Sequence, residues 1–257
     1  MIDSSLASLA ERLRALHHGP GPLVLPNAWD AETARAVVHA GFPVVATTSG
    51  GVARSLGWAD REGTPPAEMF AAIARIARAV PVPVTADIEG GYGLAEEVLV
   101  ERLLGSGAVG CNLEDSDHRN PGALLEGAHQ ARRIAALKRA ARAAGVDVVV
   151  NARIDVVVHQ VGPEADRVAE MMRRARLYLE AGADCVFPIL VTDEAQVAAL
   201  VQGIDGPMNV LAMDGGPSLA RLTDLGVARI SFGSRLERLL SSDLERRLAA
   251  IRAGLAP

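Results

Sequence analysis

The sequence has almost no lysine: Lys138 is the single lysine among 26 lysine and arginine residues. It lies in a stretch rich in alanine and arginine that is typical of a helix, so Schiff-base chemistry has almost no candidate nucleophile. One branch of aldolase chemistry is thereby excluded. Aromatic residues are also scarce, at 3% against 49% hydrophobic residues. Small aliphatic side chains must therefore fill the core, which favours helices packed closely on parallel strands.

Cysteine and positive charge are sparse as well. Cys111 and Cys185 both lie in apolar runs typical of strands, where a free thiol packs as a small hydrophobe. The net charge is -5 and no long basic run is present, so we expect no nucleic-acid partner. No apolar run reaches the roughly 18 residues of a membrane span, and residues 1–16 lack the apolar core of a signal peptide. We expect a cytoplasmic protein with no membrane partner.

What the chain does have is a regular alternation of short apolar runs and amphipathic stretches. It predicts a closed (β/α)8 TIM-type barrel in one domain over residues 1–257, since such barrels need about 250 residues. The predicted helices between the strands cover residues 6–17, 31–40, 67–80, 94–104, 128–144, 163–181, 194–201 and 218–225. The predicted strands begin near Leu23, Val44, Val82, Val109, Val146, Ala183, Met208 and Ala228.

Three further segments stand outside this repeat. The C-terminal segment, residues 233–257, contains a last predicted helix, Leu236 to Leu255, with an apolar stripe at helical spacing. This helix either covers the eighth strand or packs on another subunit. Residues 48–51, Thr-Ser-Gly-Gly, predict a small polar loop whose backbone N–H groups can approach an anion. The irregular residues 116–127 predict a mobile lid.

Two apolar runs end abruptly in acids, at residues 82–93 and 110–115. Buried parallel strands deliver carboxylates to the C-terminal rim of a barrel in this way. The acids predicted to meet at one mouth are Asp87, Glu89, Glu114 and Asp115. Four carboxylates drawn together repel one another, and a hard divalent cation such as Mg2+ resolves the repulsion. The pattern therefore indicates a metal-dependent enzyme.

An ordered set of fragments between residues 26 and 153 resembles the isocitrate lyase and phosphoenolpyruvate mutase superfamily. Similarity through the later strands is weaker. The fragments are Asn-Ala-Trp-Asp (27–30), Thr-Ser-Gly-Gly (48–51), Leu-Gly-Trp-Ala-Asp (56–60), Asp-Ile-Glu-Gly-Gly-Tyr-Gly (87–93), Leu-Glu-Asp (113–115) and Asn-Ala-Arg (151–153). The resemblance implies a (β/α)8 barrel whose last helix is exchanged between subunits of a homo-oligomer, a dimer or tetramer. It also implies chemistry on 2-oxo acids that depends on Mg2+, with Mn2+ as a substitute.

The resemblance assigns roles by position. Asp87 matches a direct metal ligand, and three acids match holders of metal-bound water: Asp60, Glu89 and Glu114. Arg153 matches an arginine that receives a substrate oxyanion. The loop containing Ser49, Gly50 and Gly51 matches the site of a substrate carboxylate or phosphonate. Together the metal and the arginine would stabilise an enolate.

The sequence also departs from the family pattern. Residues 116–122 contain no cysteine, although isocitrate and methylisocitrate lyases have their catalytic cysteine there, so classical isocitrate cleavage is disfavoured. Asn120 is the only counterpart of the loop residues used by phosphonopyruvate enzymes, and Glu89 replaces the usual aspartate. His118 is the candidate proton donor because its ordinary pKa suits that work. Asp115 is interpreted as an anchor for the following loop or for Arg153.

Three functions follow from these residues. The leading hypothesis is a Mg2+-dependent lyase that cleaves a C–C bond in a small 2-oxo or 2-hydroxy dicarboxylate through a metal-stabilised enolate. The alternative is P–C chemistry on a phosphonate, as in phosphonopyruvate hydrolysis or mutase activity, or decarboxylation or hydrolysis of oxaloacetate. A more distant alternative is a metal-independent phosphate-binding barrel, suggested by residues 215–218 and 233–235, which resemble phosphate-gripping loops.

Overall fold

The computed structural model describes residues 4–256. Its strands are β1 (Leu23–Leu25), β2 (Asn27–Ala28), β3 (Val45–Thr47), β4 (Val84–Asp87), β5 (Gly110–Glu114), β6 (Val149–Ile154), β7 (Cys185–Pro188), β8 (Asn209–Leu211) and β9 (Arg229–Ser231). Its helices are α1 (Ser4–Leu16), α2 (Ala31–His39), α3 (Ser49–Leu56), α4 (Pro66–Arg78), α5 (Glu96–Gly105), α6 (Gly127–Ala143), α7 (Arg167–Glu180), α8 (Glu194–Gly203), α9 (Leu219–Asp224) and α10 (Arg235–Arg252). None of these helices has the length and hydropathy needed to cross a membrane.

The strands close into the predicted barrel. β2 to β7 pair in sequence order and in parallel, and β1, β9 and β8 form the remaining parallel sheet. A parallel bridge between Val186 and Met208 joins β7 to β8. Pro26 separates β1 from β2 because proline has no N–H to donate to a ladder. Counted together, β1 and β2 form one barrel strand that pairs with β9 on one side and β3 on the other, which gives eight.

The core consists mainly of the small aliphatic residues that the composition predicts. Cys111 and Cys185 are buried and free, as expected of thiols inside strands. Helix α1 covers the end of the barrel at which the strands begin, and its Leu13 is fully buried there. A side chain at Gly110 would place Cβ only 2.6 Å from Leu13 Cδ2, so this close packing requires glycine.

Two boundaries differ from those expected. Residues 48–51 are not a loop: Ser49 begins α3, whose first five residues are all buried. Packing of this segment against the barrel overrides the low helix propensity of Gly50 and Gly51. The helix predicted from residue 163 begins at Arg167, after a 3-10 turn over Glu164–Asp166.

The connection between β5 and α6 is folded back on itself. An antiparallel bridge joins Ser116 to Leu124. The Leu125 N–H donates to the Asp115 carbonyl oxygen at 2.8 Å. The irregular segment is therefore a compact loop, and its closure over a substrate stays a prediction.

Helix α10 is fixed at its start and unpacked beyond. Glu237 forms an ion pair with Arg54 of α3. The apolar stripe that follows is between 51% and 65% exposed, at Leu239, Leu240, Leu244, Leu248, Ile251 and Leu255. Within residues 4–256 nothing covers the stripe, so the helix is not simply the cover of the eighth barrel strand.

Candidate active site

Asp87 ends β4 at the mouth of the barrel, the end at which the strands terminate. Its Oδ2 accepts hydrogen bonds from the Ser49 backbone N–H at 3.1 Å and from Ser49 Oγ at 2.8 Å. Its Oδ1 is buried and has no hydrogen-bond partner among residues 4–256. Since an ionised carboxylate oxygen left without a partner is costly to bury, Oδ1 is the atom at this site that most requires a ligand.

Glu89 follows two residues later in a strained backbone conformation, with φ of 51°. Its Oε1 accepts from the Tyr92 hydroxyl at 3.0 Å, and its Oε2 accepts from the Glu62 N–H at 2.5 Å. Burial, followed by the charge of Asp87, raises the pKa of Glu89 to about 8. The loop after β4 therefore holds an acid, Glu89, that binds a proton more readily than an exposed glutamate does.

Asp60 reaches the same cavity from the loop that follows α3. A Cβ at Gly50 would lie 2.7 Å from Asp60 Oδ2 and 2.9 Å from Ser234 Oγ, so only glycine permits this approach. Ser49 and Gly50 line the cavity. Gly51 does not: its missing Cβ makes room for Thr48 and Trp29. The predicted anion loop is thus a helix N-terminus, where backbone N–H groups lack intrahelical partners.

Glu114 ends β5 and carries two close contacts. His118 Nε2 lies 2.8 Å from Oε1, and Arg153 Nη1 lies 2.6 Å from Oε2 in an ion pair without hydrogen-bond alignment. Burial raises the pKa of Glu114 to about 7, although Arg153 acts in the opposite direction. The hydrogen bond to Glu114 raises the pKa of His118. The 2.8 Å contact therefore joins two titratable groups whose pKa values are both raised.

Arg153 on β6 is held by a bidentate contact. Its Nε and Nη2 donate to the two oxygens of the fully buried Asp155, at 2.6 and 3.0 Å. Burial alone would lower the pKa of Arg153, but Glu114 and Asp155 raise it above its ordinary value. The guanidinium is therefore permanently charged and oriented, with its Nη1 edge towards Glu114.

Asp115 corrects the expectation that four acids meet at the mouth. Its Oδ1 accepts from the Asp155 N–H at 2.8 Å, and its Oδ2 accepts from Arg174 Nη1 at 2.9 Å and the Tyr178 hydroxyl at 2.7 Å. Arg174 Nη1 also donates to the Leu125 carbonyl oxygen. Asp115 thus anchors the following loop and does not contact Arg153.

The two loop residues predicted as catalytic do not line the cavity. His118 lies behind Glu114, with its ring 2.7 Å from where a Gly90 Cβ would be. Asn120 is exposed at a turn, where its N–H donates to the Asp117 carbonyl oxygen. The structure therefore brings His118 to the site through Glu114 and leaves Asn120 outside it.

The cavity has a volume of about 580 Å3, within the range for small-molecule sites. Three lining residues went unrecognised in the sequence: Arg61, Asn112 and Arg238. Arg235 also lines the cavity and belongs to the predicted phosphate-gripping segment 233–235. Asn112 had a visible signal, because it is a polar residue inside the apolar run 110–113. Arg61 and Arg238 had none, since an arginine in a loop or on a helix is usually a surface residue.

The acids fit a magnesium ion bound mainly through water. No group of three or more His, Cys, Asp or Glu side chains in residues 4–256 is close enough to enclose an ion by itself. Mg2+ commonly takes only one or two carboxylates and keeps several waters. The unpartnered Asp87 Oδ1 fits the direct ligand, and Asp60, Glu89 and Glu114 around the cavity fit acceptors for the waters.

Lys138, the single lysine, lies at the opposite end of the barrel, where its Nζ is 3.0 Å from Asp184 Oδ2. It does not line the cavity. The absence of a Schiff-base nucleophile from this site agrees with the sequence analysis.

Comparison with known proteins shows which family and which solved structures the chain is similar to. Residues 13–252 match the family model described as phosphoenolpyruvate phosphomutase. An uncharacterized protein of Mycobacterium tuberculosis is 37% identical over 221 residues, covering 85% of this chain and 80% of that protein. The 2-methylisocitrate lyase of Bacillus subtilis is 28% identical over 232 residues, covering 87% of this chain and 70% of the lyase. A crystal structure from Burkholderia cenocepacia J2315 is 38% identical with a TM-score of 0.88, covering 94% of this chain and 99% of that one.

Proposed function

Because the chain belongs to the phosphoenolpyruvate phosphomutase family of enzymes, we propose that it is a Mg2+-dependent lyase. Its substrate is a small 2-oxo or 2-hydroxy dicarboxylate, and the bond that it cleaves is a C–C bond. The observation that carries the proposal is the buried, unpartnered Oδ1 of Asp87 in a cavity that also contains Arg153. An oxygen ligand for a cation and a fixed guanidinium for an anion are what a chelating oxo acid requires.

The roles of the residues follow from their contacts. Asp87 would hold the ion directly, and Asp60, Glu89 and Glu114 would accept hydrogen bonds from its waters. When bound, Mg2+ would supply Lewis-acid stabilisation of negative charge on the substrate carbonyl oxygen. Ser49 and Gly50, at the N-terminus of α3, bind a carboxylate through backbone N–H groups. Arg153 binds a second oxyanion with the donors that Asp155 leaves free.

Proton transfer is assigned to Glu114 with His118 behind it. Cleavage beside a carbonyl leaves an electron pair on carbon, and a proton must be delivered to it. Glu114 lines the cavity and its pKa of about 7 suits this transfer. The 2.8 Å contact between Glu114 and His118 Nε2 lets the histidine return the proton. Asn120 has no part in the proposal.

The preference for a dicarboxylate rests on the outer rim of the cavity. Arg61, Arg235 and Arg238 line it in addition to Arg153. Among residues 4–256, the carboxylate paired with Arg235 belongs to Asp214, which is 90% exposed, so that ion pair is weak. A second anionic group on the substrate can therefore displace it. A monocarboxylate would leave these guanidinium groups unused.

P–C chemistry is the second candidate, favoured by the description of the matching family model. It ranks lower because Asn120, the only counterpart of the phosphonopyruvate loop residues, lies outside the cavity. The metal-independent phosphate barrel ranks lowest. Gly233, Ser234 and Arg235 do line the cavity, but buried acids beside them would repel a phosphate without a cation.

A turnover panel tests the proposal. We expect oxaloacetate or a 2-methylisocitrate-like acid to react with Mg2+ and not after its removal by a chelator, and Asp87→Asn to abolish turnover. Asp184→Asn, a change at the opposite end of the barrel, is the control for general damage. Reaction of phosphonopyruvate alone would replace the C–C assignment by P–C chemistry. No reaction with any of these acids would refute the substrate class.

The remaining expectations belong to the same proposal. We propose that the chain is a single barrel domain, that it forms a dimer or tetramer in the cytoplasm, and that Mn2+ can replace Mg2+. The exposed apolar stripe of α10 supports the oligomer, because a run of half-exposed leucines is a usual mark of an interface. Light scattering of the purified protein measures the subunit number.

A further inference from the structure

Asn112 is a polar residue at the floor of the cavity. It lies in the middle of β5, where its neighbours Cys111 and Leu113 are fully buried. In the register of the barrel, Asn112 is directly between Asp87 on β4 and Asn151 on β6. Its side chain is therefore adjacent to the proposed direct ligand of the metal, although nothing in the mechanism above uses it.

Two donors fix the orientation of the Asn112 amide. Asn151 Nδ2 lies 2.9 Å from Asn112 Oδ1, and Arg229 Nη2 lies 3.3 Å from the same atom. A guanidinium has donors only, so the Asn112 atom that faces it must be the oxygen. Because the oxygen points into the barrel, the amide nitrogen points away from Arg229. No residue in 4–256 accepts a hydrogen bond from that nitrogen.

Arg229 is an unusual residue for a barrel interior. It is 1% exposed, and its Nε and Nη1 have no hydrogen-bond partner in the described part of the chain. No carboxylate in residues 4–256 forms an ion pair with it. Burial lowers the pKa of Arg229, and the charge of Asp87 is the only carboxylate influence that opposes this shift. A buried charge without a partner costs several kcal/mol, so its retention beneath the cavity calls for an explanation.

We propose that Asn112 is a substrate-binding residue and that Arg229 is its positioning residue. The Asn112 amide N–H donates to an oxygen of an anionic 2-oxo acid at the floor of the cavity, next to Asp87. Arg229 holds the amide in the orientation that presents this donor and adds a positive charge below the bound anion. The inference rests on the proposed function, since it takes the oxo acid as the ligand.

The proposal explains why both residues occur together. Without Arg229, the Asn112 and Asn151 amides could rotate together by half a turn, because each can donate or accept. Asn112 would then present its carbonyl oxygen, which would repel a carboxylate. The anion in turn offsets the buried guanidinium, because opposite charges interact strongly at low dielectric. A substrate with an uncharged oxygen would gain the hydrogen bond but not this compensation.

The test measures binding of oxalate, a stable dianion related to 2-oxo acids, by calorimetry at saturating Mg2+. We expect Asn112→Leu, of similar volume but without a donor, to weaken oxalate binding by between about ten- and a hundredfold. Asn112→Asp keeps the oxygen that faces Arg229 and is the second variant, should the leucine variant fold poorly. It should weaken binding at least as much, because it presents an acceptor to the anion. The Mg2+ affinity measured without oxalate should be retained in Asn112→Leu, whereas Asn112→Asp adds a carboxylate beside Asp87 and should raise that affinity.

The positioning role has its own pair of variants. Arg229→Met should weaken oxalate binding by about tenfold, whereas Arg229→Lys keeps a charged donor and should restore most of the affinity. A purely structural role would change the melting temperature in both variants without this difference in oxalate affinity. Thr85→Val, which alters another buried polar residue of the barrel interior, is the matched control and should bind oxalate like the wild type.

The outcomes separate this inference from the proposed function. If the wild type binds Mg2+ and oxalate but the Asn112 variants bind oxalate equally well, the inference is wrong and the proposed function stands. If Arg229→Met binds as tightly as Arg229→Lys, the positioning role is wrong. If the wild type binds no oxalate at saturating Mg2+, both the inference and the proposed function fail.

Discussion

The two ends of the barrel both carry clustered charges, but they use them differently. At the base, where the strands begin, Lys138 Nζ contacts Asp147 at 2.6 Å, Asp184 at 3.0 Å and the Val148 carbonyl oxygen at 2.8 Å. Asp184 also accepts from Arg14 Nε at 2.6 Å. Each of these charged groups contacts an opposite one. At the mouth, one oxygen of Asp87 has no hydrogen-bond partner among residues 4–256.

The pKa values of the acids also differ between the two ends of the barrel. Although burial acts the other way, the Lys138 ammonium lowers the pKa of Asp147 at the base. At the mouth, burial raises the pKa of Glu89 to about 8 and of Glu114 to about 7. The base therefore favours the charged form of Asp147, whereas the mouth favours the protonated forms of Glu89 and Glu114. Charges that satisfy one another stabilise a fold, whereas charges left unsatisfied mark a site for something that the chain does not provide.

The largest effect expected from this difference between the two ends is that of a substitution at Asp87. Asp87→Asn should lower turnover by about 10³-fold or more, because it removes the charge that we propose as the direct ligand of the metal. The free energy of unfolding without metal should stay equal or rise, since one of the clustered carboxylates is gone. Turnover with saturating Mg2+ and urea denaturation with a chelator measure the two quantities. A large loss of stability without metal would show that the charge of Asp87 stabilises the fold, as the paired charges of the base do.

The converse change at the base is Asp184→Asn. It should lower the free energy of unfolding by about 3 kcal/mol, because Lys138 and Arg14 lose a buried partner. The Mg2+ affinity should stay within about twofold of the wild type, given that the base does not line the cavity. Denaturant titration and calorimetry provide the measurements. Weakened Mg2+ binding in a well-folded Asp184→Asn protein would mean that the two ends are coupled.

A pH titration sharpens the contrast further. The folded pKa values of Glu89 and Glu114 lie above the ordinary 4.5, so the folded state binds more protons than the unfolded state between pH 4.5 and about 8. Their contribution to stability is complete below pH 4.5 and is lost as pH rises through 7 to 8, by at most about 1.4 kcal/mol per pH unit for each carboxyl. Without metal, stability should therefore fall across this range. Saturating Mg2+ should flatten the fall.

The matched variant for this titration is Glu89→Gln, which removes one of the two groups. Thermal unfolding from pH 5.5 to 8.5, with a chelator and with Mg2+, compares it with the wild type. With the chelator, we expect the stability of Glu89→Gln to fall less with rising pH than that of the wild type. Parallel curves for the two proteins would contradict the raised pKa of Glu89.

Much of this arrangement could be predicted from the sequence. Two apolar runs that end in acids located Asp87 and Glu114 at strand ends, and eight predicted strands alternating with helices indicated the barrel. The prediction that Asp115 meets the other acids at the mouth was wrong, for a reason already present in the sequence. Consecutive residues of a strand point to opposite faces, so Glu114 and Asp115 cannot both face the mouth.

Other features depend on contacts between distant residues. The low helix propensity of Gly50 and Gly51 predicted a loop at residues 48–51, and only packing against the barrel makes the helix favourable. Arg229 meets Asn112 across 117 positions of the chain, so no local pattern could reveal the pair. Contacts between polar side chains inside the closed barrel are therefore the part of this site that is hardest to predict from the sequence.

The smallest effect tests whether pairing at the base matters only where it is buried. Arg142 Nε lies 3.3 Å from Asp147 Oδ1, but its side chain is 62% exposed, against 3% for Lys138. Water and salt screen an exposed pair, so Arg142→Ala should lower the free energy of unfolding by less than about 0.5 kcal/mol. Denaturant titration at low and high salt measures it, with Asp184→Asn as the buried comparison. If Arg142→Ala lost nearly as much unfolding free energy as Asp184→Asn, the number of ion pairs, and not their burial, would determine the stability of the base.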